Sequence, residues 1–128
     1  MKLLLDTHAL LWFMLGDRRM SSRARTKLED LSNEVFVSVA SIWEIATKVR
    51  IGKLLAPDDL LQIPKSVLIR MGFHDLPLTL SHARLGGSFA HPHKDPFDRM
   101  LAAQAILEGL TLVSADTVFD SMPVTRLW

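Results

Sequence analysis

The chain contains no cysteine. That excludes a disulfide framework and any thiolate metal centre, so a metal held here would sit on oxygen or imidazole ligands. Net charge is nearly absent too: 15 Lys and Arg against 14 Asp and Glu leave a formal +1. So weak a field does not draw nucleic acid to the whole molecule, and a polyanionic ligand would need a local basic patch. No apolar run is long enough to cross a membrane. The start is apolar behind Lys2, but Asp6 and His8 interrupt it, and Asp17, Arg18 and Arg19 stand where a small-residue cleavage site would follow. A secretory leader is therefore not expected, and the expected location is the cytoplasm. Repeats, low-complexity tracts and linkers are also missing.

What remains is enough for one core. At 128 residues and 48% hydrophobic, the chain is expected to form a single domain over residues 1–128. It is organised around KLLLDTHALLW, Lys2–Trp12. Three leucines end at Asp6 and give way to a helical apolar run from about residue 8, closed by Gly16. A short run of this kind reads as a buried parallel strand that carries Asp6 at its carboxyl end, the edge of an α/β sheet where ligands bind.

The rest alternates in the same way. Ser21 or Ser22 caps a polar amphipathic helix, and VFVSV (35–39) is β-branched and strand-like. Ser41 and Glu44 have the spacing of a capping box opening a third helix that ends at Gly52. Lys48, Arg50 and Lys53 gather toward its end, where they complement the helix dipole or contact phosphate. A helical stretch from Pro57 to about Met71 carries Pro64 and so is expected to break or kink. Phe73–Leu76 is a short strand, and Leu78–Leu85 a helix stopped by Gly86-Gly87. Asp95-Pro96-Phe97-Asp98 combines N-cap, N1 and N3 signals for the helix that follows, which ends at Gly109. TLVS (111–114), a short helix from Thr117 and a last edge strand at 124–127 complete an α/β pattern with a covered parallel sheet.

Four acids occupy comparable places. Asp6 and Asp116 each follow a strand, and Glu44 opens the helix directly after one, so these three fall on one sheet edge. Asp98 joins them only if a loop returns its helix start to that edge. Clustered carboxylates repel unless a cation neutralises them, and hard oxygen ligands favour Mg²⁺ or Mn²⁺. Such a site suits in-line hydrolysis of a phosphodiester. Each acid alone also reads as a helix cap, and it is the joint pattern that favours a metal site.

The strings LLLDTHALLW, VSVASIWEIATKVRIGKL, HKDPFDRMLAAQA and LTLVSAD together resemble the PIN-domain family, in particular VapC-type toxins of bacterial type II toxin–antitoxin pairs. The resemblance implies a three-layer α/β/α sandwich with a parallel sheet in the order 3-2-1-4-5. It also implies Mg²⁺- or Mn²⁺-dependent endoribonuclease activity on an RNA substrate, a cognate antitoxin and a homodimer. Carried over by motif, the metal ligands are Asp6, Glu44, Asp98 and, less strictly, Asp116. Around them, Thr7 and Ser114 are second-layer hydrogen-bonding positions. Arg99 is an ion-pair partner or substrate contact, and Lys48 a substrate contact. Asp95 reads as an N-cap and is left out of the metal set.

Two other classes compete. A receiver-like signalling domain also has an acidic Mg²⁺ pocket, but it requires a Lys after the last long strand, where this chain has Asp116. A binding-only module would use all four acids as caps.

Overall fold

A computed structural model describes residues 1–55 and 65–128. The order is β1 (Lys2–Leu5), α1 (Thr7–Leu15), α2 (Ser22–Glu29), β2 (Glu34–Ser38), α3 (Val39–Arg50), α4 (Lys65–Arg70), β3 (Phe73–Leu76), α5 (Leu80–Ser88), α6 (Pro96–Glu108) and β4 (Thr111–Val113). A 3₁₀ turn (Thr117–Ser121) and β5 (Arg126–Leu127) close the chain. The five strands form one sheet in the order β3-β2-β1-β4-β5, and every pairing is parallel. A receiver-like domain has the order 2-1-3-4-5, so this topology removes that reading.

Because a strand's side chains alternate, the three leucines of β1 serve two cores. Leu3 and Leu5 pack with Ala9, Leu10 and Leu11 of α1, Ala24 and Leu28 of α2, and Ile45 of α3. Leu4 points the other way, into Leu101, Ala102 and Ala105 of α6 and Leu112 of β4. All three are fully buried, which is why β1 reads as an unbroken apolar run instead of an alternating one. Helix α1 is apolar around most of its surface for a similar reason. Its inner residues face the sheet, while Trp12 meets Trp128 edge-on and Phe13 meets Phe73.

The topology decides where a ligand can sit. From β1 the chain steps outward through β2 to β3, then crosses back over β1 to β4 and β5. The direction reverses between β1 and β4, and the crevice beyond their carboxyl ends is the position where open α/β sheets bind ligands. Asp6 and Ser114 flank that crevice. The Asp6 backbone N–H donates to Val113 O at 3.0 Å, stitching the two strands together at the point where they diverge.

Two local expectations need correction. Helix α3 starts at Val39, not after Ser41, and its N-cap is Ser38, whose Oγ accepts from Ala40 N–H at 3.0 Å. Val39 therefore belongs to the helix despite its β-branching, and Glu44 lies in the second turn with no capping duty. Gly86 and Gly87 do not stop α5, which continues to Ser88. A Cβ at Gly86 would lie 3.5 Å from Arg99 O and Met100 Cα, so the glycine marks a close approach of α5 to α6. Of the helical stretch expected from Pro57, Lys65–Arg70 is helical and the part through Pro64 lies outside the described residues.

Candidate active site

The crevice at the β1–β4 divergence is a cleft of about 190 Å³ lined by Asp6, Thr7, His8, Glu44, Lys48, Asp95, Asp98 and Asp116. All four acids singled out from the sequence line it, and so does Asp95, which the sequence reading set aside as a cap.

Each acid reaches the cleft by a different local device. Asp6 is the N-cap of α1: its Oδ1 accepts from Ala9 N–H at 2.7 Å, and its Oδ2 accepts from Ser114 Oγ–H at 2.5 Å. Ser114, fully buried at the end of β4, in turn accepts from the Asp116 N–H at 3.0 Å. Asp116 caps the 3₁₀ turn through Val118 N–H at 2.9 Å. The cap reading of these two acids is thus correct locally, and a cap at this sheet edge faces the cleft.

Glu44 differs. It is 4% exposed in the interior of α3, where a carboxylate gains nothing from helix capping and loses hydration. One oxygen accepts from Thr7 Oγ–H at 2.5 Å, and the other is paired with the Lys48 ammonium one turn along. Ser41 Oγ lies 3.2 Å from Thr7 Oγ1, so the serine once read as the cap instead backs this network.

Asp98 reaches the edge through a helical hairpin. In the first turn of α5, His82 bonds Glu108 in the last turn of α6 at 2.8 Å. At the other end, Arg99 in the first turn of α6 donates to Gly86 O at 2.8 Å. The two helices are therefore antiparallel, and the loop between them returns the chain to the cleft. Asp95 caps α6, accepting from Phe97 N–H at 2.9 Å and Asp98 N–H at 3.1 Å. The Asp98 carboxylate turns to His93 Nε2 at 2.8 Å.

Arg99 does not line the cleft and meets no acid among the described residues. Its guanidinium donates to four carbonyls, of Gly86, Phe89, His91 and His93, at 2.6–3.0 Å, and lies over the Phe89 ring. It clasps the loop that carries His93. Nothing in the sequence marks this, because the partners are backbone atoms. The His93–Asp98 contact was also missed: the five-residue separation spans a cap and has no periodic signature.

The electrostatics follow from crowding. Burial pushes the Asp6 carboxyl up to about 6, against the hydrogen bonds from Ser114 and Ala9, and nearby Asp98 adds to the rise. Burial also raises Asp98; the His93 hydrogen bond opposes this, while Asp95 and Glu44 reinforce it. Burial works against the charge on Lys48, but the hydrogen bond and charge of Glu44 together with nearby Asp95 and Asp98 outweigh it, and the proton is held more tightly than in a free lysine.

A hard divalent cation fits this donor set of gathered carboxylates, two of which, Asp6 and Asp98, have their charged forms disfavoured by burial first and by neighbouring acids second. Among the described residues, no three Asp, Glu or His side chains stand arranged to share one ion. Asp6 is turned to Ala9 and Ser114, Glu44 to Thr7 and Lys48, and Asp98 to His93. Ligation would exchange some of these partners. No helix among the described residues is long and apolar enough to cross a membrane.

Comparison with curated proteins finds no match. Among solved structures, the chain is similar to one in the VapBC2 complex of Rickettsia felis bound to a DNA fragment from its promoter. That match has 16% identity and a TM-score of 0.66, covering 99% of this chain and 98% of the other. VapBC-1 of nontypeable Haemophilus influenzae gives 14% identity and a TM-score of 0.68 over 99% and 97%. FitAcB of Neisseria gonorrhoeae gives 21% and 0.61 over 98% and 96%. At these identities the likeness is one of fold. The PIN-domain profile matches residues 3–124, nearly the whole chain. With that match on the sequence and the 3-2-1-4-5 sheet beneath it, the chain belongs to the PIN-domain family.

Proposed function

We propose that residues 1–128 form one nuclease domain, a metal-dependent endoribonuclease that is the toxin of a toxin–antitoxin pair. The observation that carries the nuclease reading is Glu44. Asp6, Asp95 and Asp116 each have a capping role that would justify a carboxylate without any ligand, but a buried glutamate inside α3 has none. A binding-only module whose acids are all caps does not account for it, whereas a cleft that gathers positive charge, from a metal ion and from Lys48, does.

In this reading Asp6, Asp98 and Asp116 hold Mg²⁺, with Mn²⁺ as a substitute, and Glu44 either joins them or positions the attacking water. When bound, the ion supplies a lowered water pKa and positive charge at the phosphate. The protein's own groups do the rest. Ser114 and the Ala9 N–H hold the Asp6 carboxylate at the cleft, Thr7 holds Glu44, and His93 holds Asp98, and ligation would exchange some of these bonds. Water would add to phosphorus, losing a proton to solvent, as the bond to the leaving ribose oxygen breaks, and that oxygen would take a proton from solvent. Lys48, at the rim of the cleft, contacts the RNA backbone.

The toxin assignment rests on the solved complexes. A chain of a toxin–antitoxin complex from Klebsiella pneumoniae matches this one along nearly its full length, as do chains of the VapBC and FitAcB structures. By that analogy the partners are a cognate antitoxin and a second copy of this chain. The test is incubation of the protein with defined single-stranded RNAs in Mg²⁺ and in excess EDTA. Cleavage that appears with Mg²⁺ and stops with EDTA is expected; equal cleavage in EDTA, or none in either, overturns the reading. Loss of cleavage when a small protein encoded beside this chain is co-purified tests the antitoxin half.

A further inference from the structure

Among the described residues lining the cleft, Lys48 is the one basic side chain with a permanent charge. Its ammonium is paired with Glu44, four residues earlier on α3. A solvent-exposed pair at this spacing is worth a few tenths of a kilocalorie and carries no message. This pair is different, because the Glu44 side chain is 5% exposed while that of Lys48 is 31% exposed. The carboxylate is sunk in the floor and the ammonium sits over it, reaching the open space. Thr7 holds the other Glu44 oxygen; Asp6 accepts only from the neutral donors Ala9 N–H and Ser114 Oγ–H, whereas Glu44 already holds a positive charge.

We propose that Lys48 is a built-in cation of the cleft, occupying the place of a second metal ion, so that the site takes one divalent ion per chain. This rests on the nuclease reading above and deepens it. A two-metal centre needs carboxylates shared between ions about 3.5–4 Å apart. The acid at the α3 side of the cleft is instead neutralised by a tethered ammonium that cannot diffuse away. Asp6, Asp98 and Asp116, which line the same cleft, remain for a single ion. A lysine has three donors on a flexible stem, and one bond to Glu44 leaves two that can meet phosphate oxygens. Lys48 thus adds positive charge at the attacked phosphate and transfers no proton.

The arrangement has an unusual consequence. Lys48 repels the ion it works beside, so removing its charge should tighten ion binding while slowing cleavage. A residue with a merely structural role would weaken both. At the effective dielectric of a protein surface, one charge within several ångströms of a divalent ion changes its affinity by about tenfold or more.

The experiment is calorimetric titration of the full chain with Mn²⁺, wild type against Lys48→Gln and Lys48→Arg, paired with RNA cleavage in Mg²⁺. Wild type is expected to bind one Mn²⁺ per chain. Lys48→Gln is expected to bind it about tenfold tighter yet cleave RNA at least about tenfold more slowly, with Lys48→Arg recovering part of the cleavage at unchanged stoichiometry. Two ions per wild-type chain would overturn the proposal even if the glutamine variant failed to fold. So would a folded Lys48→Gln whose Mn²⁺ affinity is unchanged or weaker. Wild type that binds no Mn²⁺ and cleaves no RNA would instead remove the nuclease reading itself, and this inference with it.

Discussion

Neutralising the first acid of the cleft should make the metal-free protein more stable. Asp6 is buried, and its carboxyl titrates near 6 instead of at the usual 3.8. Each pH unit between those values is worth about 1.4 kcal/mol, so an ionised Asp6 costs the folded state about 3 kcal/mol at neutral pH. Because the fold holds this proton more tightly than the unfolded chain does, stability falls as pH rises from about 4 to about 6 and stays lowered above that. Asp98, raised by the same burial, adds in the same direction. Asp6→Asn removes the charge but keeps an oxygen to accept from Ala9 N–H, so the cap survives, and its amide can donate to Ser114 Oγ. The expected gain at pH 7.5 in EDTA is about 1–3 kcal/mol, the lower end allowing for an imperfect Ser114 contact. Urea unfolding reads this as a midpoint shift of about 1–2 M. At pH 4.5 the gain should shrink below about 1 kcal/mol. A variant that is less stable than wild type at pH 7.5, or one whose advantage does not change with pH, would refute the argument that burial without a cation strains this site.

Other perturbations test the supporting structure. Arg99→Ala should cost about 2–4 kcal/mol in thermal or urea unfolding, because the Gly86 carbonyl of α5 and three carbonyls of the connection after it lose their shared donor. Lysine should not restore this, since it lacks the planar fork. Gly86→Ala should be neutral or stabilising by up to about 1 kcal/mol, since its Cβ would make ordinary 3.5 Å contacts in a helix interior; Gly86→Val should be destabilising in the same melts. Thr79→Ala should cost about 1 kcal/mol through loss of the α5 cap that pairs with His82. Glu44→Gln should lower RNA cleavage at least about a hundredfold with an unchanged circular dichroism spectrum, as expected for a group that assists at the reacting phosphate.

The sheet and its cleft were legible because their signals are local. Three leucines ending at an aspartate mark β1 and its carboxyl edge, and TLVS followed by Ala115-Asp116 repeats the pattern at β4. Parallel topology then places Asp6, Glu44 and Asp116 together without knowledge of any tertiary contact. Asp98 could not be placed in that way. Its position depends on an antiparallel hairpin held by His82–Glu108 at one end and Arg99 to backbone carbonyls at the other, and none of these contacts has a sequence period.

The α3 start was misread because two serines compete for it. Ser41 and Glu44 have capping-box spacing, whereas the chain actually turns at Ser38, and β-branched Val39 resembles strand. The consequence matters for function. Once the helix begins at Val39, Glu44 is no longer a first-turn acid with an energetic excuse but a buried charge that needs a partner. Asp95 illustrates the opposite: an acid that is a true N-cap and lines the cleft all the same. Capping and ligand binding are not exclusive at the carboxyl edge of a parallel sheet, because the helix starts there point their caps at the same space.

The central claim, that the carboxylates at the β1–β4 divergence form the active site of a metal-dependent ribonuclease, meets its most direct test in the Asp6→Asn protein. That variant and wild type should be compared on one defined RNA in Mg²⁺, with the stability of both measured on the same preparations. Wild type should cleave the RNA, and the variant should not, while being at least as stable when metal-free. Cleavage by Asp6→Asn at the wild-type rate would contradict the claim.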